Sequence, residues 1–193
     1  MSTDQQLTRA HFKTFEESTP ADWAIIGEQS VHAEMMVAEN ALYLLRQLGD
    51  DYGGFPVSRL EHSLQTATRA QRDGRDDEYV VCALLHDIGD TLSPGMNHPD
   101  IAASMVHGLA SEANHFMVKW HGYFQGYYFW DKIGGDKDAR ERFRDSPYFE
   151  YAAEFCALYD QVAFDPDYQS ESLDHFEPLV RAFFAPRTGM LSR

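Results

Sequence analysis

The chain has 193 residues and carries 16 Lys and Arg against 31 Asp and Glu, a formal charge of −15. A surface this acidic repels phosphate backbones and anionic lipid headgroups. We therefore expect neither nucleic acid nor a membrane as partner. Hydrophobic residues make up 44%, as in a globular domain. No apolar run is long enough to span a membrane, and the polar amino terminus has no signal pattern. We therefore expect a cytoplasmic protein.

Helical spacing of apolar residues begins early in the chain. Thr19 and Pro20 read as the N-cap and first position of a helix that continues to about Leu48, before Gly49. Ser58 and Glu61 have the spacing of a capping box, which predicts a second helix from about residue 59. A third helix, from about 77 to 87, is apolar on nearly all faces and is expected to be central and buried.

The remaining apolar patterns predict further helices over about 99–110, 111–130, 146–164 and 171–184. No stretch alternates as a strand would. We therefore predict a single all-α domain over residues 20–185, with residues 1–19 a flexible amino-terminal segment and 186–193 a loose tail. Cys82 and Cys156 lie in apolar helical segments and are predicted to be reduced core residues.

Four polar residues stand out against this apolar background. His86 and Asp87 close the third helix, where polar side chains are costly to bury unless they are hydrogen-bonded or bind a metal. A buried hydrogen bond would explain that pair alone. His62 lies near the start of the second helix, and Asp160 lies within another apolar segment. Histidine and carboxylate together are typical metal ligands, so the four are candidates for a metal site.

In chain order these four residues resemble the H…HD…D motif of the HD superfamily, whose members are helical metalloproteins and mostly phosphohydrolases. The resemblance covers about residues 40–185. It implies a helical HD-domain bundle with a metal site.

Two further histidines, His98 and His121, occur in the order in which dinuclear HD sites take their extra ligands. With them the set resembles the HD-domain mixed-valent di-iron oxygenases, the group that contains inositol oxygenase and a phosphonate-cleaving enzyme. This resemblance implies two iron ions in the Fe(II)/Fe(III) state, bridged by Asp87. The implied ligands are His62, His86, Asp87 and Asp160 for one iron and Asp87, His98 and His121 for the other.

The segment from Tyr52 to Gln65 looks most like the phosphonate-cleaving branch, in which a tyrosine ten residues before the first histidine covers the open iron position. The resemblance assigns this role to Tyr52. Positions where that branch holds its substrate with basic residues here include Asp90 and Gln125. Loss of cations weakens the binding of an anion. The resemblance therefore implies the metal site but does not identify the substrate. We expect Asp90 and Gln125 to contact the substrate that this protein binds.

Residues 120–130 are dense in aromatic side chains. One interpretation is packing in the core and the wall of a cavity. The other is an aromatic pocket that, with Asp90, would suit an uncharged or cationic substrate, including a quaternary amine held by cation–π contacts. Five histidines are predicted to be structural or solvated rather than ligands: His11, His32, His107, His115 and His175.

The resulting expectation is a di-iron oxygenase that uses dioxygen to attack a C–H bond of a small polar substrate bound to one iron. The alternative is an HD phosphohydrolase that acts on a nucleotide or phosphomonoester, with manganese or cobalt in place of iron. A metal or ligand sensor without catalysis is the third possibility. The sequence does not indicate the oligomeric state.

Overall fold

The computed structural model describes residues 9–93 and 95–185. Within these ranges the chain forms helices and turns and has no β-strand, which confirms the predicted all-α class. None of the helices described there combines the length and the apolar character needed to cross a membrane. Residues 1–8 and 186–193, which belong to the two predicted loose ends, lie outside the described residues. The cytoplasmic location stays a prediction.

The α-helices are joined by connections of unequal length, the longest of which covers residues 127–148. They are α1 (Pro20–Gln47), α2 (Arg59–Arg72), α3 (Asp77–Leu85), α4 (His98–Val106), α5 (Glu112–Gly126), α6 (Phe149–Phe155) and α7 (Leu173–Phe183). A π-helical turn, Cys156–Asp160, continues α6. The predicted helices over 111–130 and 146–164 therefore end earlier than expected. At the end of α5 the indole of Trp130 folds back over Gly126 into space that a Cβ would need.

Side-chain caps begin most of these helices. Thr19 and Asp22 form a full capping box at α1. The Ser58 hydroxyl accepts the amide of Glu61 at 3.1 Å, as predicted for α2. The Glu61 carboxylate does not complete that box, because it accepts from the hydroxyl of Ser170 at 2.7 Å. The start of α2 was thus predicted correctly and the role of Glu61 was not.

Helix α3 lies at the centre of the core, as its all-round apolar sequence predicted. Every residue from Tyr79 to Leu85 is buried. The helix packs against α2, α5 and α7. Burial of each large aliphatic side chain contributes about 1.5–3 kcal/mol, so this helix fixes the positions of its neighbours. Cys82 and Cys156 are buried free thiols in the same core, as predicted.

The segment 9–19 contacts the start of α1. The ring of Phe12 stacks on Trp23, with centroids 6.3 Å apart, and the amide of His11 donates to the Asp22 carboxylate. Among the side chains described between residues 20 and 37 none is buried, whereas Ala38, Ala41, Leu42 and Leu45 belong to the core. Only the second half of α1 therefore supports the site described below.

Candidate metal centre

Six polar side chains from four helices and the π-helical turn meet at one end of α3. All but one have side chains that are almost wholly buried, and His98 is the more exposed member. They are the six residues singled out in the sequence: His62, His86, Asp87, His98, His121 and Asp160.

The end of α3 places two of them. His86 is the C-cap residue of this helix, and Asp87 follows it. The last carbonyls of a helix lack partners within the helix. One of these, the Ala83 carbonyl, accepts from His86 Nδ1 at 2.7 Å. The helix end thereby orients the His86 ring and leaves its Nε2 atom facing the cluster.

The other three histidines are anchored in the same way, each through Nδ1 to a backbone carbonyl. The pairs are His62 with Ala163 (3.1 Å), His121 with Val118 (2.7 Å) and His98 with Gly95. Since a carbonyl can only accept, each Nδ1 carries the proton. Every Nε2 atom of a neutral ring therefore presents a lone pair to the cluster.

These Nε2 atoms form two close pairs. His62 and His86 approach to 3.2 Å, and His98 and His121 to 3.0 Å. Two lone pairs at such a distance repel each other unless a cation lies between or beside them. Neighbouring ligands of an octahedral ion with bonds of about 2.1 Å lie about 3 Å apart, so the donor set and its spacing fit bound metal ions.

Asp87 lies between the two pairs and divides its carboxylate between them. Its Oδ2 atom is 3.4 Å from Nε2 of both His62 and His86. Its Oδ1 atom is 3.1 Å from Nε2 of both His98 and His121. One carboxylate oxygen thus faces each histidine pair, which is the arrangement of a bridging ligand between two ions.

Asp160 completes the side of His62. Its Oδ1 atom is 3.3 Å from Nε2 of His62 and 3.7 Å from that of His86. The same oxygen accepts from the side-chain amide of Gln125 at 2.6 Å, and Oδ2 accepts from the Cys156 thiol at 3.4 Å. Asp160 ends the π-helical turn, a distortion often found at functional sites.

The protonation states reflect this crowding. Burial would lower the pKa of His86, but the charges of Asp87 and Asp160 outweigh it and raise that pKa to about 9. Burial opposes the ionisation of Asp87, yet the charge of His86 and the contacts with His121 and His98 hold the pKa of this carboxyl well below its usual range. Burial lowers the pKa of His121. Without metal, a proton on His86 therefore provides the positive charge that the cluster requires.

A cavity of about 460 Å³ opens onto the cluster, within the range of small-molecule sites. It reaches the cluster at His62, Asp87 and His98. Its wall combines aromatic or apolar side chains with a few polar and charged groups. The remaining lining residues are Phe55, Val57, Ser58, Arg59, Asp90, Gly95, Met96, Gln125, Tyr128, Phe129, Lys132, Gln161 and Phe164.

Asp90 and Gln125 line this cavity, but both already have partners, and their contact with a substrate stays a prediction. The Gln125 amide donates to Asp160. Asp90 forms an ion pair with Arg59. The negative charge of Asp90 is therefore already neutralised by Arg59 and is not free to bind a cationic substrate.

Two cavity cations, Arg59 and Lys132, were missed in the sequence. Arg59 lies three residues before His62 on α2, and this spacing places both side chains on one helix face. That spacing was the signal that could have identified Arg59. Lys132 lies in the turn after α5, whose position depends on packing and has no comparable local signal.

The structure does not bring Tyr52 to the cavity. Its side chain is 55% exposed, and Phe55 lines the cavity instead. Gly53 and Gly54 have φ values of +51° and +86° and turn the chain between these two residues. For Tyr52 to cover a metal ion, this turn would have to rearrange, so its predicted role stays a prediction.

The other histidines lie apart from the cluster. His107 and His115 face each other, with ring centroids 5.1 Å apart. His175 contacts Gln71, and His32 is exposed on α1. In the aromatic run, Tyr128 and Phe129 line the cavity, whereas other rings such as Trp120 pack against Phe143. Some rings of the run therefore pack in the core and others form the cavity wall, and the binding of a substrate by these rings stays a prediction.

Comparison with known families identifies the central part of the chain. The HD domain family model matches residues 59–122. The matched segment, about a third of the chain, is similar to HD domains. It includes five of the six clustered residues, and Asp160 lies beyond it. The match supports a metal-dependent enzyme of the HD type.

One curated relative matches a shorter stretch. Over 44 residues the chain is 50% identical to the 1-hydroxy-2-(trimethylamino)ethylphosphonate dioxygenase (glycine-betaine-forming) of Leisingera caerulea. The match covers 23% of this chain and 22% of that relative's length. Together with the HD match, it confirms the resemblance to the HD oxygenase group that the motifs indicated.

Proposed function

We propose that this protein is an O2-dependent di-iron oxygenase that attacks a C–H bond of a small polar substrate bound at one iron. The observation that carries the proposal is the divided carboxylate of Asp87, with one oxygen towards His62 and His86 and the other towards His98 and His121. A single ion needs no such bridge. The dioxygenase named among the relatives gives independent support for oxygen chemistry.

Two bound iron ions would supply the redox chemistry with dioxygen, for which the cavity side chains have no equivalent. The protein side chains hold and shield the substrate. Phe55, Phe129 and Phe164 contribute aromatic surface to the cavity wall. The cavity meets the cluster at His62, Asp87 and His98, so the substrate would reach the metal ions there.

The relative's name suggests the first substrate to test. That compound carries a hydroxyl, a trimethylamino group and a phosphonate. Lys132 offers positive charge to an anionic group, whereas Arg59 is already paired with Asp51 and Asp90. The aromatic rings offer cation–π contacts to a quaternary amine. The hydroxyl would be the group that binds iron, as expected for a small hydroxylated or cationic substrate.

The decisive experiment is anaerobic reconstitution with Fe²⁺ followed by metal analysis and EPR after partial oxidation. We expect two iron ions per chain and the signal of an antiferromagnetically coupled Fe(II)/Fe(III) pair. Addition of 1-hydroxy-2-(trimethylamino)ethylphosphonate should perturb that signal, whereas tetramethylammonium or acetate alone should do so more weakly. One iron per chain, or no coupled signal, would rule out the di-iron oxygenase.

The second candidate is an HD phosphohydrolase, and one observation favours it. Lys132 provides positive charge at the cavity that the sequence alone did not indicate. The test is phosphate release from a nucleotide or phosphomonoester by protein loaded with Mn²⁺ or Co²⁺. Rapid turnover there, without oxygen consumption by the iron form, would favour the hydrolase.

A further inference from the structure

Asp90 connects a cavity residue to one of the histidines. Its side chain is only 5% exposed. One carboxylate oxygen forms an ion pair with Nη1 of Arg59. The other oxygen is 3.2 Å from Nδ1 of His98, so His98 shares its N–H between Asp90 and the Gly95 carbonyl. Asp90 therefore contacts the ring of a metal-ligand candidate on the side opposite the cluster.

Arg59 extends this connection to the turn before α2, residues 51–54, which we call the 51–54 turn. Its Nε atom donates to the Asp51 carboxylate at 2.9 Å, and its backbone amide donates to the Asp51 carbonyl at 2.8 Å. The Asp51 carboxylate also accepts the amide of Gly53 at 2.9 Å. A Cβ on Gly53 would lie 2.7 Å from Nη2 of Arg59, so the guanidinium packs directly on the turn.

His98 is the ligand candidate with the greatest need for such support. Its side chain is 18% exposed, whereas those of His62, His86 and His121 are at most 4% exposed. It is also the first residue of α4. Contacts that orient a histidine ligand commonly change metal affinity by about 10–100-fold.

We propose that Asp90 and Arg59 are positioning residues that couple the 51–54 turn to His98, so that the turn and the metal ion held by His98 stabilise each other. The inference rests on the proposed two-metal centre but not on its oxygen chemistry. It also links the centre to the cavity, because Phe55 follows the turn, packs on Phe164 at 5.3 Å and lines the wall.

The coupling is testable with Mn²⁺ alone, using EPR of the free ion to measure stoichiometry and affinity. We expect the wild type to bind two ions. Either Asp90→Asn or Arg59→Gln should lower the Mn²⁺ affinity of the weaker site about tenfold. The double variant should be no weaker than Asp90→Asn, because Arg59 acts through Asp90. Arg59→Lys, which keeps the charge, should restore part of the affinity. Asp100→Asn, an exposed acid on α4, is the matched control.

Additive losses in the double variant, or wild-type affinity in both single variants, would overturn the coupling. Binding of a single Mn²⁺ ion by the wild type would overturn the two-metal centre itself, and the coupling with it. Thermal unfolding of each variant distinguishes loss of folding from loss of affinity.

Coupling is reciprocal, so metal should also stabilise the turn. Hydrogen exchange of a peptide covering residues 51–56 reports on the amides of Gly53 and Phe55. In the wild type we expect Mn²⁺ to slow this exchange, and in Arg59→Gln to leave it unchanged. The same slowing in both proteins would show that metal orders the turn by another route and would overturn the role of Arg59.

Discussion

Asp87 is the residue on which both halves of the proposed centre depend. Each of its oxygens serves one histidine pair, so no other side chain in the cluster contacts both pairs in the same way. The two histidine pairs differ in their acidic neighbours. His62 and His86 share Asp160 as a further acidic neighbour, whereas His98 and His121 have Asp87 and, on the outer side of His98, Asp90. The ion at His98 and His121 should therefore bind more weakly.

Replacing His121 should remove one metal ion and leave the other. We expect His121→Ala to bind one Mn²⁺ per chain, because the His62 and His86 pair, Asp87 and Asp160 remain intact. His115→Ala, on the same helix but directed at His107, is the matched control and should keep two ions. Metal analysis after gel filtration gives the stoichiometry. Two ions retained in His121→Ala would show that this histidine is not a ligand.

Metal binding should release a proton near neutral pH. His86 in the metal-free protein has its pKa raised to about 9, so it is protonated at pH 7.5 and must lose that proton to bind a metal. Calorimetric titration with Mn²⁺ in two buffers of different ionisation enthalpy measures the release. We expect about one proton from His86 at pH 7.5 and progressively less as the pH rises past 9. A release independent of pH across this range would contradict the assignment.

At the scale of elements, the site is built from helix ends. His86 ends α3 and His98 begins α4, and the segment between them carries Asp87 and Asp90. Gly89 permits this close approach, because a Cβ there would collide with the backbone of His98. Its φ is not positive, so space rather than backbone conformation requires glycine at this position.

Gly89→Ala should therefore displace His98. We expect a loss of about 1–3 kcal/mol in the free energy of unfolding from overpacking, together with weakened binding of one metal ion. Gly27→Ala is the control, since Gly27 lies within α1 and a Cβ there meets nothing within 4 Å. That variant should be as stable as the wild type or slightly more so. Denaturant unfolding and Mn²⁺ titration measure both effects. Unchanged metal binding in Gly89→Ala would contradict this account.

The elements also show where sequence reasoning succeeds. Caps such as Ser58 act across three residues, so helix starts could be predicted from local spacing. The contact between Arg59 and Asp90 joins residues 31 apart and depends on how α2 packs against the end of α3. The π-helical turn before Asp160 has no periodic signature either. Local rules thus predicted most of the helices and a set of residues that converge, but not the charge balance of the cavity.

At the scale of the molecule, the strong negative charge includes carboxylates that are buried in the core. Asp87 and Asp160 are buried in a chain whose formal charge is −15. Burial of carboxylates is costly unless cations or donors compensate. In the metal-free state the compensation comes from the histidines, the Gln125 amide and the Cys156 thiol. Bound cations would compensate more fully.

Metal removal should consequently lower the thermal stability of the whole domain. With metal at about 1,000 times its dissociation constant, binding contributes about 4 kcal/mol, which corresponds to roughly 10 °C in Tm for a chain of this size. Calorimetry with EDTA and after addition of excess Mn²⁺ measures the difference. His32→Ala, which alters an exposed histidine, should show the same shift. Equal Tm values with and without metal would indicate that the cluster does not bind it.

The anchoring of the imidazoles has an evolutionary consequence. Three of the four rings donate to a backbone carbonyl three residues earlier in the chain, at Ala83, Gly95 and Val118. A backbone acceptor survives every substitution of the residue that carries it. Drift at those three positions is therefore constrained by packing and not by the orientation of the ring. Only His62, whose acceptor Ala163 comes from a distant segment, relies on tertiary structure for its anchoring carbonyl.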